Sequence, residues 1–300
     1  MILAIVLVGG IAYEILRPHE PVYHGKTFSE WLADYDGTNP NADEVKAKLA
    51  ITRIGSNAVP VLIEWMRAKD SPVKLWMANL LRKQTVIKFH FQFASDYHNR
   101  ALKCFEILGP VGKSAIPDLV GLLDDPTSGD SGYFAVDVLS RFGLEVMPIL
   151  INALTNTHQS SGVQRIAAEG LGRLGSEGHA AVPALVQVLQ SNDAFVRVEA
   201  AGALGHIGQR ADAAIPVLLD ALARRGGLAG FEVLRYFYDF KSQAQTAVPL
   251  LLKRIEVCDA TEQSMIIDAL RLLDAKAATE TEERLRSERV SKESQEPKVK

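Results

Sequence analysis

The chain has 300 residues, of which 47% are hydrophobic, 23% charged and 7% aromatic. This much apolar material can bury a large core, which excludes a disordered or a collagen-like chain. The formal net charge of −3 lacks the positive field on which non-specific nucleic-acid binding depends, so no nucleic-acid partner is expected. Two cysteines, Cys104 and Cys258, are too few for a disulfide scaffold, and both are predicted to be free thiols.

The chain opens on an apolar stretch of about 16 residues that is uncharged before Glu14. At about 1.5 Å per residue a helix of this length spans about 24 Å, slightly less than the bilayer's hydrocarbon core. Neither a basic n-region nor a small-x-small cleavage site is visible. Residues 1–17 are therefore predicted as an uncleaved membrane anchor rather than a signal peptide, with a buried core helix as the remaining alternative. The folded part is expected to be extracytoplasmic, in the periplasm.

Residues 18–43 are predicted as a linker and a capping helix. Thr27 and Glu30 have the spacing of a capping box, which opens a short helix over 28–33. Its Trp31 is then expected to cover the exposed end of the first repeat. We assign this tryptophan to packing rather than to recognition.

A repeat of about 33 residues occupies residues 44–275, with an insertion at about 70–95. Each repeat contains a proline that follows a pair of small or apolar residues: Pro60, Pro117, Pro148, Pro183, Pro216 and Pro249. Two residues after each proline stands a leucine: Leu62, Leu119, Leu150, Leu185, Leu218 and Leu251. Apolar residues also follow at offsets of three and six, and these offsets share one face of a helix. Proline in a helix's first turn removes only an amide that had no partner, so each repeat predicts a helix with one apolar face and the proline in its first turn.

A second helical pattern precedes the prolines and ends on glycine, most clearly over 165–175 and 198–208. Its small residues allow two helices to approach closely, and Gly175 and Gly208 can adopt the left-handed conformation that ends a helix. Each repeat is therefore a helix, a turn and a second helix. Because one such pair cannot bury its own apolar face, neighbouring pairs must stack into an α-solenoid.

These patterns resemble the HEAT-repeat superfamily. Its usual pattern Asp-x-x-Val-Arg-x-x-Ala-Ala-x-Ala-Leu-Gly-x-Ile-Gly is nearly complete over 193–208, at Asp193, Val196, Arg197, Ala200, Ala201, Ala203, Leu204, Gly205, Ile207 and Gly208. The opening Tyr23-His24-Gly25-Lys26, with Ser29, Trp31 and Leu32, is similar to that of bacterial membrane-anchored HEAT repeat domain-containing proteins. The resemblance implies an all-α, right-handed α-solenoid of HEAT-like helix pairs with an N-terminal hydrophobic anchor helix.

Two segments depart from the repeat. Ser71-Pro72 predicts a helix start, with helix over 73–83, and the alternation of apolar and polar residues over 86–93 predicts a short extended segment. The phenylalanines of that segment are assigned to packing, although with Lys88 and His90 they could also form a partner surface. Residues 276–300 are dense in charge and are predicted as a frayed capping helix and a disordered tail.

The sequence contains no recognisable catalytic motif. Di-iron hydroxylases with HEAT-like folds need several His-Glu pairs, and only His19-Glu20 occurs here. Apart from Lys253 and Arg254 the inner-helix positions are mostly neutral or acidic, unlike the basic channel of HEAT-like DNA glycosylases. No HExxH, phosphate-binding loop or GxSxG is present. No enzymatic activity, metal or small-molecule cofactor is expected. An enzyme or enzyme accessory, for example bilin-lyase-like, that uses the groove as a substrate cradle stays the alternative.

A polar column on the second helices is the candidate binding surface. Four residues after each proline stand Glu64, Gly121, Asn152, Gln187, Asp220 and Lys253. The HEAT resemblance implies that second helices line a concave groove, and a varied polar groove suits an extended peptide or protein partner. A solvated face without a ligand is the alternative. We expect a non-catalytic, membrane-tethered scaffold that binds its partner through Glu64, Trp65, Asn152, Gln187, Asp220 and Lys253.

Overall fold

The structure is a computed structural model and describes residues 19–37, 43–82, 92–125, 130–223 and 230–295. The predicted anchor at 1–17 and most of the predicted extended segment at 86–93 lie outside these ranges. Inside them, no helix has the length and apolar character needed to cross a membrane. The chain divides into two compact units, Met1–Phe142 and Gly143–Lys300.

The described part of the first unit begins with a short β-hairpin, which precedes the helices of the all-α repeats. Strands β1 (Val22–Tyr23) and β2 (Lys26–Thr27) pair antiparallel. The two residues between them, His24 and Gly25, have φ of 49° and 77°. Two-residue hairpin turns need positive φ at such positions, and glycine provides it without strain. The opening motif therefore forms this hairpin.

The described helices of the first unit follow the hairpin. They are α1 (Phe28–Tyr35), α2 (Glu44–Ile54), α3 (Val59–Met66), α4 (Pro72–Arg82), α5 (Ala94–Leu108), α6 (Ile116–Asp124) and α7 (Asp130–Leu139). The predicted capping box opens α1, since the Thr27 N–H donates to Glu30 Oε2 (2.7 Å) and the Glu30 N–H donates to Thr27 Oγ1 (3.3 Å). Trp31 packs against the hairpin and donates its indole N–H to the Tyr23 carbonyl (2.8 Å). Trp31 therefore packs against the hairpin, and the prediction that it covers the end of the first repeat stays a prediction.

The core of the first unit lies where α2 and α3 meet α5. Helix α1 packs on α2, α5 packs on both α2 and α3, and α7 packs on α5 and α6. Phe28 and Phe105 are among the largest fully buried side chains. The capping helix thus contributes directly to this core.

The insertion contains the predicted helix, α4. Ser71 begins it, because its hydroxyl accepts the Lys74 N–H (3.2 Å). The helix is described to Arg82, and the predicted last residue, Lys83, lies outside the described residues.

The second unit is a stack of helix pairs. Its helices are α8 (Met147–Thr155), α9 (Ser161–Arg173), α10 (Val182–Val188), α11 (Ala194–Ile207), α12 (Ala211–Ala223), α13 (Gly230–Asp239), α14 (Ala244–Ile255), α15 (Ala260–Leu273) and α16 (Ala275–Gln295). The first helices of successive pairs, α9, α11, α13 and α15, pack one on the next. Among the second helices, α8 packs on α10 and α12 on α14. This is the packing of an α-solenoid.

The leucine column forms the interior of the repeats. All six leucines are 0% exposed: Leu62, Leu119, Leu150, Leu185, Leu218 and Leu251. The burial of the residues three positions after each proline is less uniform, since Leu219 is buried while Val186 is only half-buried. The offset-three position therefore lies at the margin of the apolar face.

The position of the prolines within their helices corrects the sequence expectation in two repeats. Pro60, Pro117, Pro148 and Pro183 are second residues of their helices, whereas Pro216 and Pro249 lie five residues inside α12 and α14. The residue five before the proline explains the difference. It is glycine at Gly55, Gly112, Gly143 and Gly178, and alanine at Ala211 and Ala244. Alanine favours the α-helix by about 1 kcal/mol over glycine, so the turn becomes part of the helix.

Two predicted roles of glycine in the second unit are confirmed. Gly208 has φ 77° in the left-handed region and ends α11. A Cβ on Gly172 would lie 2.9 Å from the Cα of Ala203, so α9 and α11 touch through their backbones. Only glycine permits this approach.

The C-terminal charged segment forms a further helix pair with α15. Helix α16 extends to Gln295, and Ala278, Thr281 and Leu285 are buried. The predicted capping helix is therefore present and packed on α15. Residues 296–300 of the predicted tail lie outside the described residues.

Candidate binding site

Two of the predicted binding residues, Glu64 and Trp65, line a cleft in the first unit. The cleft, called here the Trp65 cleft, has a volume of about 650 Å³. It is lined by Glu20, Ser29, Val61, Glu64, Trp65, Arg67, Ala68, Lys69, Gln92, Tyr97 and Arg100. Helices α1, α3 and α5 and the segments beside them supply these residues.

The Trp65 ring forms the apolar part of the cleft. It is 8% exposed, and its centroid lies 5.6 Å from that of Phe28 and 6.3 Å from that of Tyr97. The Arg100 guanidinium carbon lies 5.1 Å from the same ring centroid, within cation–π distance. Trp65 is therefore fixed between aromatic neighbours and a cation.

Charged groups surround this ring. Glu20 accepts the Ser29 N–H (2.9 Å) and hydroxyl (2.5 Å), which fixes its carboxylate at the start of α1. Arg67 donates to Asp118 Oδ1 on α6 (3.1 Å). The cleft therefore combines an aromatic floor with fixed charges of both signs, the composition of a site for a peptide side chain rather than for an apolar small molecule.

The other four predicted residues, Asn152, Gln187, Asp220 and Lys253, lie in the second unit. All four are exposed and stand on the second helices α8, α10, α12 and α14. They line neither the Trp65 cleft nor the second cavity described below. The predicted set is thus divided between the two units.

One electrostatic relationship shows that Asp220 is near the following second helix. Arg254 on α14 donates to Glu262 (2.6 Å), and this hydrogen bond is the main cause of its raised pKa. The negative charge of Asp220 makes a smaller contribution to the same pKa. The charge of Asp220 on α12 thus acts on the Arg254 guanidinium of α14.

A second cavity, called here the Tyr236 pocket, lies on the first helices of the second unit. It has a volume of about 180 Å³ and is lined by Arg165, Glu169, Phe195, Val198, Glu199, Val233, Arg235 and Tyr236. The buried Tyr236 hydroxyl donates to Glu199 Oε1 (2.9 Å). Burial raises the pKa of Glu199 above its ordinary value, although the Tyr236 hydrogen bond opposes the shift. Burial and the charge of Glu199 also raise the pKa of Tyr236.

The described residues offer no metal site, and the cysteines are unpaired. Within those ranges no three His, Cys, Asp or Glu side chains are grouped closely enough to hold a metal ion. Cys104 and Cys258 are both free thiols, as predicted. Burial raises the pKa of Cys104 to about 12, so this thiol is inert at neutral pH.

Sequence reasoning missed Tyr97 and Arg100 in the cleft and Glu199 and Tyr236 in the pocket. Tyr97 and Arg100 are three residues apart on α5 and so share a helix face, a spacing that could have been noticed. Glu199 and Tyr236 are 37 residues apart, and no local pattern connects them.

Comparison with known proteins identifies the repeat type. A family model described as HEAT repeats matches residues 147–227, which begin at the start of α8 and include α12. Two crystal structures of engineered proteins from the Northeast Structural Genomics Consortium are similar at 19% identity. The first alignment covers 91% of this chain and 80% of the engineered protein, with a TM-score of 0.39. The second covers 83% of this chain and 96% of the engineered protein, with a TM-score of 0.35. These scores are too low to carry a conclusion. No curated protein matches the chain.

Proposed function

We propose that this HEAT-repeat protein, whose repeats are matched over residues 147–227, is a non-catalytic scaffold for a protein or peptide partner. In this proposal residues 1–17 tether it to a bacterial membrane, and the folded part is extracytoplasmic. Helix-pair solenoids present extended surfaces that suit such partners.

The observation that carries the proposal is the Trp65 cleft. Binding energy at protein interfaces concentrates on Trp, Tyr and Arg side chains in pockets, and the cleft places Tyr97 and Arg100 each beside the Trp65 ring. Three cations and two carboxylates line it. The partner we propose is a peptide segment with an apolar side chain for the Trp65 floor and a neighbouring carboxylate for Arg100.

The polar column of the second unit is a separate candidate surface for a protein or peptide partner. Asn152, Gln187, Asp220 and Lys253 are exposed and do not contribute to the leucine core. The two surfaces are therefore tested separately.

Selection of peptides from a random library against the full chain tests the binding site. Peptides retained by the wild type are measured by fluorescence anisotropy against Arg100→Glu and against Lys253→Glu, a matched charge reversal on the second-unit column. We expect Arg100→Glu to weaken binding about tenfold or more, since it reverses the charge over Trp65. Peptides that bind Arg100→Glu as well as wild type, or lose affinity only for Lys253→Glu, would exclude the Trp65 cleft.

Deletion of residues 1–18 tests the tether. The cut precedes Glu20, whose carboxylate holds the start of α1, so the folded units are expected to stay intact. The full chain should remain with membranes after a high-salt wash while the deletion variant is released, because an apolar helix is retained by burial rather than by charge. Release of both forms would show that residues 1–17 are not an anchor.

A further inference from the structure

The Tyr236 pocket is built by three successive first helices of the second unit. Helix α9 supplies Arg165 and Glu169, α11 supplies Glu199, and α13 supplies Arg235 and Tyr236. Its volume of about 180 Å³ is smaller than the volumes of about 300–1,000 Å³ that hold drug-sized ligands. A ligand of this pocket is therefore a small molecule or a single chemical group.

The Glu199 carboxylate is held in place from α13. The Tyr236 hydroxyl donates to Glu199 Oε1 (2.9 Å), and the Tyr236 ring is buried. Arg235 lies over this ring, with its guanidinium carbon 5.2 Å from the ring centroid. Because the carboxylate is already ordered by these neighbours, a ligand that binds it has little ordering cost to overcome.

Two charged groups of the pocket keep hydrogen-bonding capacity. Among the described residues Tyr236 is the single hydrogen-bond donor to Glu199, so one carboxylate oxygen has no partner there. Arg165 makes no hydrogen bond or ion pair in the same part of the chain. Burial raises the pKa of Glu199 although the charges of Arg165 and Arg235 oppose the shift. The groups around this buried carboxylate therefore do not fully compensate its charge.

The charges that line the pocket discriminate between classes of ligand. Two guanidinium groups and two carboxylates line it. A ligand with only a carboxylate would face Glu169 and Glu199, and a ligand with only an ammonium group would face Arg165 and Arg235. Like charges placed together weaken binding. A ligand that carries both charges can pair with groups of both signs.

We propose that the Tyr236 pocket binds a small zwitterion of the α-amino acid class, with its ammonium group on Glu199 and its carboxylate on Arg165. Arginine binds a carboxylate through two parallel hydrogen bonds. Val198 and Val233 also line the pocket and provide an apolar wall for an aliphatic side chain. Water occupies about 30 Å³ per molecule, so the pocket has room for about six waters or an amino acid of similar size.

This inference goes beyond the proposed scaffold and does not depend on it. The Trp65 cleft belongs to the first unit, whereas every residue that lines the Tyr236 pocket lies in the second. A lysine side chain of a protein partner is the less favoured ligand, because it brings only the positive charge. The experiment therefore separates the zwitterion from a lone cation.

Saturation-transfer difference NMR on the full chain tests the proposal with L-valine as the probe. Two half-ligands are measured beside it: isovalerate, which lacks the ammonium group, and isobutylamine, which lacks the carboxylate. We expect a saturable signal from the valine methyl groups. Both half-ligands should bind about tenfold more weakly or worse, because each leaves one charged group of the pocket without its partner.

Paired variants assign the signal to the pocket. Glu199→Gln and Arg165→Gln should each weaken valine binding about tenfold or more, since each removes one of the two charges that the ligand needs. Glu106→Gln and Arg53→Gln make the same changes at exposed positions of the first unit and should leave valine binding unchanged. Thermal unfolding without ligand reports whether each variant is folded. If Glu199→Gln unfolds, Arg165→Gln decides the test alone, because no hydrogen bond of the described chain is lost with it.

Three outcomes would overturn the inference. They are absence of a saturable valine signal, equal binding of valine by the wild type and a folded pocket variant, and equal or tighter binding of either half-ligand. A preference for isobutylamine would assign the pocket to a lone cation, such as a lysine side chain of a protein partner. None of these outcomes bears on the Trp65 cleft, because that site is tested with peptides and Arg100→Glu.

Discussion

A Cβ atom built on Gly202 would lie 2.3 Å from Cε1 of Tyr236. Gly202 is on α11 and Tyr236 on α13, so the aromatic ring occupies the space that any side chain at position 202 would need. The same ring carries the hydroxyl that donates to Glu199 one turn earlier on α11. The absence of a side chain at Gly202 thus permits the close packing of α11 on α13 and the position of the Tyr236 ring in the Tyr236 pocket.

Gly202→Ala is expected to destabilise the second unit by about 2–3 kcal/mol, because the ring must move from a packed site. Gly121→Ala is the matched control. Gly121 lies within α6 and a Cβ there would meet nothing within 4 Å, so alanine should stabilise by about 0.5–1 kcal/mol. Urea unfolding followed by circular dichroism measures both. Equal effects of the same sign would contradict the close approach of α11 and α13.

Glu199→Gln should change the pH dependence of stability. The pKa of Glu199 is raised from 4.5 in the fold, so above pH 4.5 the unfolded chain releases this proton before the folded chain does. Stability associated with Glu199 is therefore lost as pH rises from 4.5 through the folded pKa. Urea unfolding at a series of pH values should show this decline in the wild type and its absence in Glu199→Gln. If the wild type instead gained stability relative to Glu199→Gln as the pH rises from 4.5, the pKa of Glu199 would be lowered rather than raised in the folded protein.

Leu185→Ala is expected to cost about 2–5 kcal/mol of unfolding free energy, through lost burial and a cavity. Leu185 is 0% exposed. Gln187→Ala, two residues along α10 at an exposed position, should change stability by no more than about 0.5 kcal/mol. Chemical unfolding of the two variants and of the pair Leu218→Ala and Asp220→Ala provides the comparison. Similar losses within either pair would mean that the helix faces are assigned incorrectly.

The two thiols should differ in reactivity. Cys104 is 0% exposed with a pKa of about 12, whereas Cys258 is half-buried. A thiol reagent should therefore modify Cys258 in the folded protein and reach Cys104 only after unfolding. The rates at which the thiol reagent labels the wild type and Cys258→Ser are measured with and without urea. Rapid labelling of folded Cys258→Ser, or an intrachain disulfide in the peptide map, would contradict the buried position of Cys104.

The sequence by itself determined which side of each helix is buried. Leu185 and Leu218 occupy equivalent positions in a repeat, and a helix of 3.6 residues per turn places their shared offset on the same face. The capping box at Thr27 and the ending of α11 at Gly208 are likewise local, since each involves atoms a few residues apart. The start of α12 before Pro216 was also decided locally, by Ala211, although only the structure made that effect visible.

The tertiary structure alone decided which helices supply the candidate sites. Phe28 contacts Trp65 from a helix outside the repeats, and Tyr236 contacts Glu199 of the preceding repeat. Such contacts depend on the distance between helix axes, which small residues such as Gly202 set and which no periodicity in the sequence encodes. The exposure of Trp76 on α4 is of the same kind, because an apolar helix face is buried or exposed only according to what packs against it. For that reason the repeat could be predicted residue by residue, while the cleft and the pocket could not.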